Sequence, residues 1–179
     1  MTVIMPEGVP TLGNTSVRWV ASIADLDEPT LTELTAAAPA SLDISCFLME
    51  DGWQPGQNVN RASAKRRLCQ RTTVERITST VQTLGDLGYS FDPQAADASD
   101  GKKAYTTLTE GKAGYFVERL GLDAKTDAWA ADDFVNIIPV TLGPQLIVAP
   151  TDDGAEYQIT QAVSVRSARI DNVKIVTGD

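Results

Sequence analysis

The sequence predicts a mainly β protein, and three observations carry that prediction. Between Asp132 and Val176 two long segments alternate apolar and polar residues. Period two belongs to a strand with one packed face and one wet face. Both segments exceed the usual ~5–6 residues of a strand. Thr151-Asp152-Asp153-Gly154 between them reads as a hairpin turn. From Asp132 to Val148 the even positions hold Phe134, Asn136, Ile138, Val140, Leu142, Pro144, Leu146 and Val148, while the odd ones mix Val135 and Ile137 with Asp133, Thr141 and Gln145. From Ala155 onward the odd positions Tyr157, Ile159, Val163 and Val165 are mostly apolar, and Glu156, Gln158, Thr160, Ser164 and Arg166 are not. Long strands with a polar face and open edges aggregate unless the edges are closed. Closing the sheet into a barrel, alone or with copies of the same chain, is one solution.

The other elements follow in chain order. Residues 1–16 are rich in Gly, Pro and Thr and read as an extended arm. Val17 to Ile23 reads as a first strand anchored by Trp19, and Asp25 to Pro29 as an acidic turn. Thr30 and Glu33 have the spacing of a capping box, so a short helix is expected through Ala38, stopped by Pro39. Ser41 to Met49 alternates as a strand. Glu50 to Arg71 shows little periodicity and is expected to be a long loop. Thr72–Thr80 and Val81–Phe91 read as a strand pair or one bent strand, and Asp92–Gly101 as a linker. A helix is expected over Lys102–Glu110, with Ser99 or Asp100 as cap and Gly111 beyond its end. Tyr115–Leu120 is a strand and Asp127–Asp133 a turn. After Arg166 the parity slips, which predicts a bulge before a last segment, Asp171–Val176.

The 179 residues suit one domain, 17–179, behind the arm. A chain 42 % hydrophobic and 22 % charged has the composition of a soluble globular protein. No apolar run approaches the ~18 residues of a membrane span, and no signal peptide is expected at the N-terminus. The formal charge is −9, from 24 acids and 15 cations, so most of the surface should repel phosphate. The chain has no histidine, which removes the commonest general base, the usual Ser or Cys triad and the commonest metal ligand. Cys46 and Cys69 are too few for a Cys₄ site. They are expected as buried free thiols, with one disulfide as the alternative.

The paired carboxylates Asp132/Asp133 and Asp152/Asp153 sit at turns and point apart if extended, so neither pair is a dyad. Gly111-Lys112-Ala113-Gly114 lacks phosphate-loop spacing, and no G-x-S-x-G elbow exists. An enzyme is therefore disfavoured, and no cofactor or metal is called for. Arg61 to Arg71 carries five cations and no acid in eleven residues: Arg61, Lys65, Arg66, Arg67 and Arg71. It lacks the interleaved aromatics of a single-strand nucleic-acid site. The remaining readings are a solvated loop or a contact arm toward acids such as Asp25, Asp27, Glu28, Glu33 or Asp51 of another copy.

Four segments together resemble the major tail tube proteins of long-tailed, siphovirus-type phages infecting actinobacteria: SLDISCFLMEDGW (41–53), RLCQRTTVE (67–75), KKAYTTLTEGKAGYFVERLG (102–121) and DAWAADDFVNIIPVTLG (127–143). The likeness extends from about Val17 to Val176. It implies a β-sandwich-like fold of two packed antiparallel sheets, with one or two short flanking helices and a long loop at 50–71. It also implies homo-hexameric rings whose inner sheets join into one barrel, stacked into a hollow tube in the virion tail after assembly in the host cytoplasm. Double-stranded DNA would pass through without specific binding, and tape measure, tail-tip and tail terminator proteins would be partners. Polar strand faces would then line the lumen, with Glu156, Gln158, Thr160, Ser164 and Asn136 as candidates; Arg61, Lys65, Arg66, Arg67 and Arg71 are the candidates for inter-ring contact. Competing expectations are a tail terminator or capsid decoration protein, or a stand-alone adhesion module.

Overall fold

The computed structural model describes residues 8–97, 99–149 and 156–178. The chain is mainly β, with two sheets and two short helices, consistent with a β-sandwich-like fold. Its strands are β1 (Thr15–Val20), β2 (Ser41–Asp43), β3 (Pro55–Ser63), β4 (Glu75–Leu84), β5 (Leu87–Ser90), β6 (Ala113–Leu120), β7 (Phe134–Val148), β8 (Gln158–Val165) and β9 (Ile170–Lys174). The helices are α1 (Leu31–Leu34) and α2 (Asp100–Thr107). The large sheet runs β2-β1-β6-β7-β8-β5, with β9 also on β7. The second sheet is the antiparallel pair β3-β4.

The two long alternating segments are β7 and β8, paired antiparallel as expected. The turn proposed at Thr151–Gly154 lies outside the described residues. The capping box also forms: Thr30 Oγ1 accepts from Glu33 N at 3.2 Å, and Glu33 Oε2 accepts from Thr30 N at 3.0 Å. Thr35 ends α1 sooner than expected, and α2 starts at Asp100 behind Ser99.

Direct cross-strand partners share a face of the sheet, and each face has its own core. On the first, Trp19, Phe116, Ile138, Val140 and Leu142 pack with Leu87, Tyr89 and Ile159, under Ala104 and Leu108 at α2. On the second, Val20, Val117, Val135 and Ile137 pack with Leu34 of α1, Ile23 and Ile175. The second core covers only part of its face.

Several expectations are corrected. The segment 50–71 is not one loop, because Pro55–Ser63 is strand β3. Its side chains are exposed on both faces, so no buried face existed to write an alternation. β4 and β5 are neither a pair nor one bent strand, since β4 pairs β3 and β5 pairs β8. Of Ser41–Met49 only Ser41–Asp43 is strand. Phe47 and Leu48 pack on the first core from the turns that follow. β7 also has an unforeseen register shift between Leu142 and Gln145. Gly143 lies there, where a Cβ would meet Ala162 O at 2.9 Å, next to Pro144, which has no N–H to donate. The break after Arg166 occurs as read, before β9.

Candidate functional site

Two surfaces stand out. The first is the uncovered part of the large sheet's second face. Ile159 and Gln161 of β8 point into the first core and are buried. Gln158, Thr160, Ala162 and Ser164 alternate with them and therefore point to the other side. Across the strands, Val148 partners Gln158, Leu146 partners Thr160 and Thr141 partners Ser164. Three of the proposed lumen residues, Gln158, Thr160 and Ser164, thus share one face, with Glu156 exposed just before the strand. This face is neutral and polar along β8 rather than acidic, with Leu146 and Val148 exposed beside it. Asn136 is not brought together with them. It sits on the first face opposite Glu118, donates to Glu118 Oε2 at 3.1 Å and accepts from Asn172 N at 3.0 Å.

Behind this face lies a polar cluster that sequence reasoning missed. Gln161 Nε2 donates to Leu108 O at 2.7 Å and Gly143 O at 3.1 Å, and its Oε1 accepts from the Tyr89 hydroxyl at 3.2 Å. Gln145 Nε2 reaches the Tyr89 oxygen at 2.7 Å. Burial pushes the Tyr89 hydroxyl well above the ordinary tyrosine range, so it remains a protonated donor. The available signal was Gln161 itself, a polar residue at an apolar parity.

The second surface is the β3-β4 hairpin. Nine residues of strand reach about 30 Å at ~3.3 Å each. Its root is anchored: Gly85 N donates to Gln54 O at 3.0 Å and Met49 N to Gly88 O at 2.9 Å. Gly52 lies so close to Gly88 that no Cβ fits. Trp53 Nε1 donates to Glu118 Oε1 at 2.8 Å, and its ring meets Phe116 edge-on at 5.5 Å. Glu118 is buried and also takes Arg169 Nη2 at 3.0 Å.

Beyond the root the arm has no cover. Val59, Val74, Ile77 and Val81 are exposed, and pairing places Val81 and Ile77 on opposite faces of the hairpin. Arg61 lies on β3, while Lys65, Arg66, Arg67 and Arg71 surround the tip, all of them exposed. Residues 61–76 hold six of the chain's 15 cations and one of its 24 acids. The remainder, nine cations against 23 acids, carries −14. No ion pair among the described residues uses a tip cation. Cys46 and Cys69 are free, as favoured, but both are exposed rather than buried.

The β body leaves part of one sheet face bare and carries a long uncovered arm, an arrangement that fits a structural protein. The family model described as phage tail tube protein matches residues 3–178, and the chain belongs to that family. It is a family of structural virion tail proteins, not of enzymes. No curated protein matches the chain. Among the described residues, no helix is long and apolar enough to cross a membrane.

Proposed function

We propose that six copies form a ring and that rings stack into the tail tube of a siphovirus-type phage, a conduit through which double-stranded DNA leaves the capsid. The observation that carries this reading is the hairpin arm. An isolated two-stranded ribbon with exposed apolar residues is marginal in water and needs a partner surface. Its tip is cationic while the rest of the chain is strongly acidic, which favours head-to-tail contact between copies. Arg61, Lys65, Arg66, Arg67 and Arg71 act there in contact between rings.

Within a ring, the sheet of one copy extends the sheet of the next. Among the described residues, no strand pairs with Gly143–Val148 of β7 on the side away from β8, and Leu146, Ile147 and Val148 are exposed along it. Adding a neighbour's strand removes that open edge. The face with Gln158, Thr160 and Ser164, and Glu156 beside it, then lines the lumen. Uncharged hydroxyls and amides offer phosphate no cation, so DNA slides instead of sticking. The tube assembles in the host cytoplasm around a tape measure protein, between tail-tip and terminator proteins.

Negative-stain electron microscopy of concentrated protein should show hollow tubes or stacked rings. The Lys65→Glu, Arg66→Glu, Arg67→Glu triple variant should keep its circular dichroism and form far shorter tubes. Tubes of normal length from that variant would remove the arm from inter-ring contact.

A further inference from the structure

The arm has a complementary surface on the chain itself. A groove of about 1200 Å³ runs beside the hairpin root. Val17, Leu48, Met49 and Trp53 line its apolar part, and Leu12 stands exposed at its lip. The turn around Leu12 is tied down, with Gly121 N donating to Asn14 O and Ala124 N to Gly13 O, both at 2.8 Å. Glu50 and Asp123 also line the groove, against one cation, Lys125. Backbone N–H groups of Thr126 and Lys125 hold the Asp123 carboxyl below its usual range, so it stays anionic. Cys46 is exposed in the same lining.

The tip presents the matching set. Leu68 is fully exposed, with cations Lys65, Arg66 and Arg67 before it, Arg71 after it, and the exposed thiol of Cys69 beside it. Arg67 N donates to Gln70 Oε1 at 3.0 Å and Gln70 N to Arg67 O at 2.9 Å, so the tip is a shaped turn. Tip and groove lie at opposite ends of an arm about 30 Å long, so a chain cannot fill its own groove.

We propose that the hairpin tip of one copy docks in the Trp53 groove at the hairpin root of the next copy. Leu68 lies on the apolar floor, the tip cations meet Glu50 and Asp123, and Cys69 comes beside Cys46. The proposal rests on the stacked-ring reading and names the surface that the arm meets. Tip-to-root contact is heterologous, and a heterologous contact that does not close on itself propagates along the arm direction, as a growing tube requires.

Chemical crosslinking tests it, because Cys46 and Cys69 are the chain's two cysteines. The protein is assembled with a short bis-maleimide present and run on a denaturing gel beside a micrograph of the same sample. Tip-to-root docking gives a ladder of oligomers. Cys46→Ser and Cys69→Ser each lose every crosslinked band, and a mixture of the two variants gives a dimer and nothing larger. A dimer from either variant alone means that like cysteines meet, and overturns the docking. Tubes without a ladder overturn the docking and leave the tube reading standing. Neither tubes nor ladder overturns both, whereas a ladder without tubes keeps the docking and counts against stacked rings. As a second variant, Glu50→Arg with Asp123→Arg should shorten tubes, and combining it with the triple tip reversal should restore them.

Discussion

At the residue scale, the chain relies on a few buried or capped charges. Glu33 is one. Partial burial opposes its charge, but hydrogen bonds from Ala24 N, Thr30 Oγ1 and Thr30 N outweigh that and hold its carboxyl below the ordinary 4.5. A lowered carboxylate stabilises the fold above its unfolded pKa, and the contribution is lost as pH falls through the folded value. Glu33→Gln should therefore melt below wild type at neutral pH, and the gap should close as the medium is acidified below 4.5. Thr30→Ala removes the other half of the box at a cost of about 1 kcal/mol. For a chain of this size that lowers Tm by ~2–4 °C, readable by calorimetry. Arg119 is the larger risk. It is buried, donates to Asp133 Oδ2 at 2.9 Å and to the carbonyls of Ala128 and Asp127, and lies over the Trp129 ring. Asp133→Ala leaves that guanidinium without its counter-charge. A loss of about 3 kcal/mol is expected in urea unfolding, the low end for a broken buried pair because two carbonyls remain.

At the scale of elements, legibility followed burial. β8 was readable because it buries one set of alternating residues, as Ile159 and Val163 do against the first core, and β7 because its apolar residues fill both cores, Ile138, Val140 and Leu142 in the first and Val135 and Ile137 in the second. β3 was unreadable because its nine residues bury neither face. The capping box was readable because a helix start is set by residues three apart. Gln145 and Gln161 were not, because their partners, Tyr89 and the Leu108 carbonyl, come from distant segments. Asn136 shows the same limit: parity places it with apolar Ile138, and the Glu118 carboxylate across the sheet and the Asn172 N–H explain a polar residue there. Gln161→Leu should strand the Gly143 carbonyl and leave the Tyr89 hydroxyl without its acceptor, while Gln145 Nε2 still serves Leu108 O at 3.1 Å, and cost about 1–3 kcal/mol, measured as a lower urea midpoint with an unchanged m-value.

At the scale of the whole molecule, charge is divided between a cationic arm tip and an acidic body. Contacts between such surfaces weaken as the Debye length falls from ~8 Å at 0.15 M salt to ~3 Å at 1 M. On the proposed stacked-ring reading, tube length should therefore decline with salt, and more steeply than tube diameter, because the proposed strand pairing between copies in a ring is not screened. Light scattering and micrographs across a salt series separate the two. What the sequence determined by itself is local: the alternating strands, the helix start, the missing histidine and the run of cations. The tertiary structure decided that the cations ride on a hairpin tip, that part of a sheet face stays bare, and that Asn136 and the β8 residues lie on opposite sides. Those facts depend on contacts between residues far apart in the chain, and local periodicity carries no record of them.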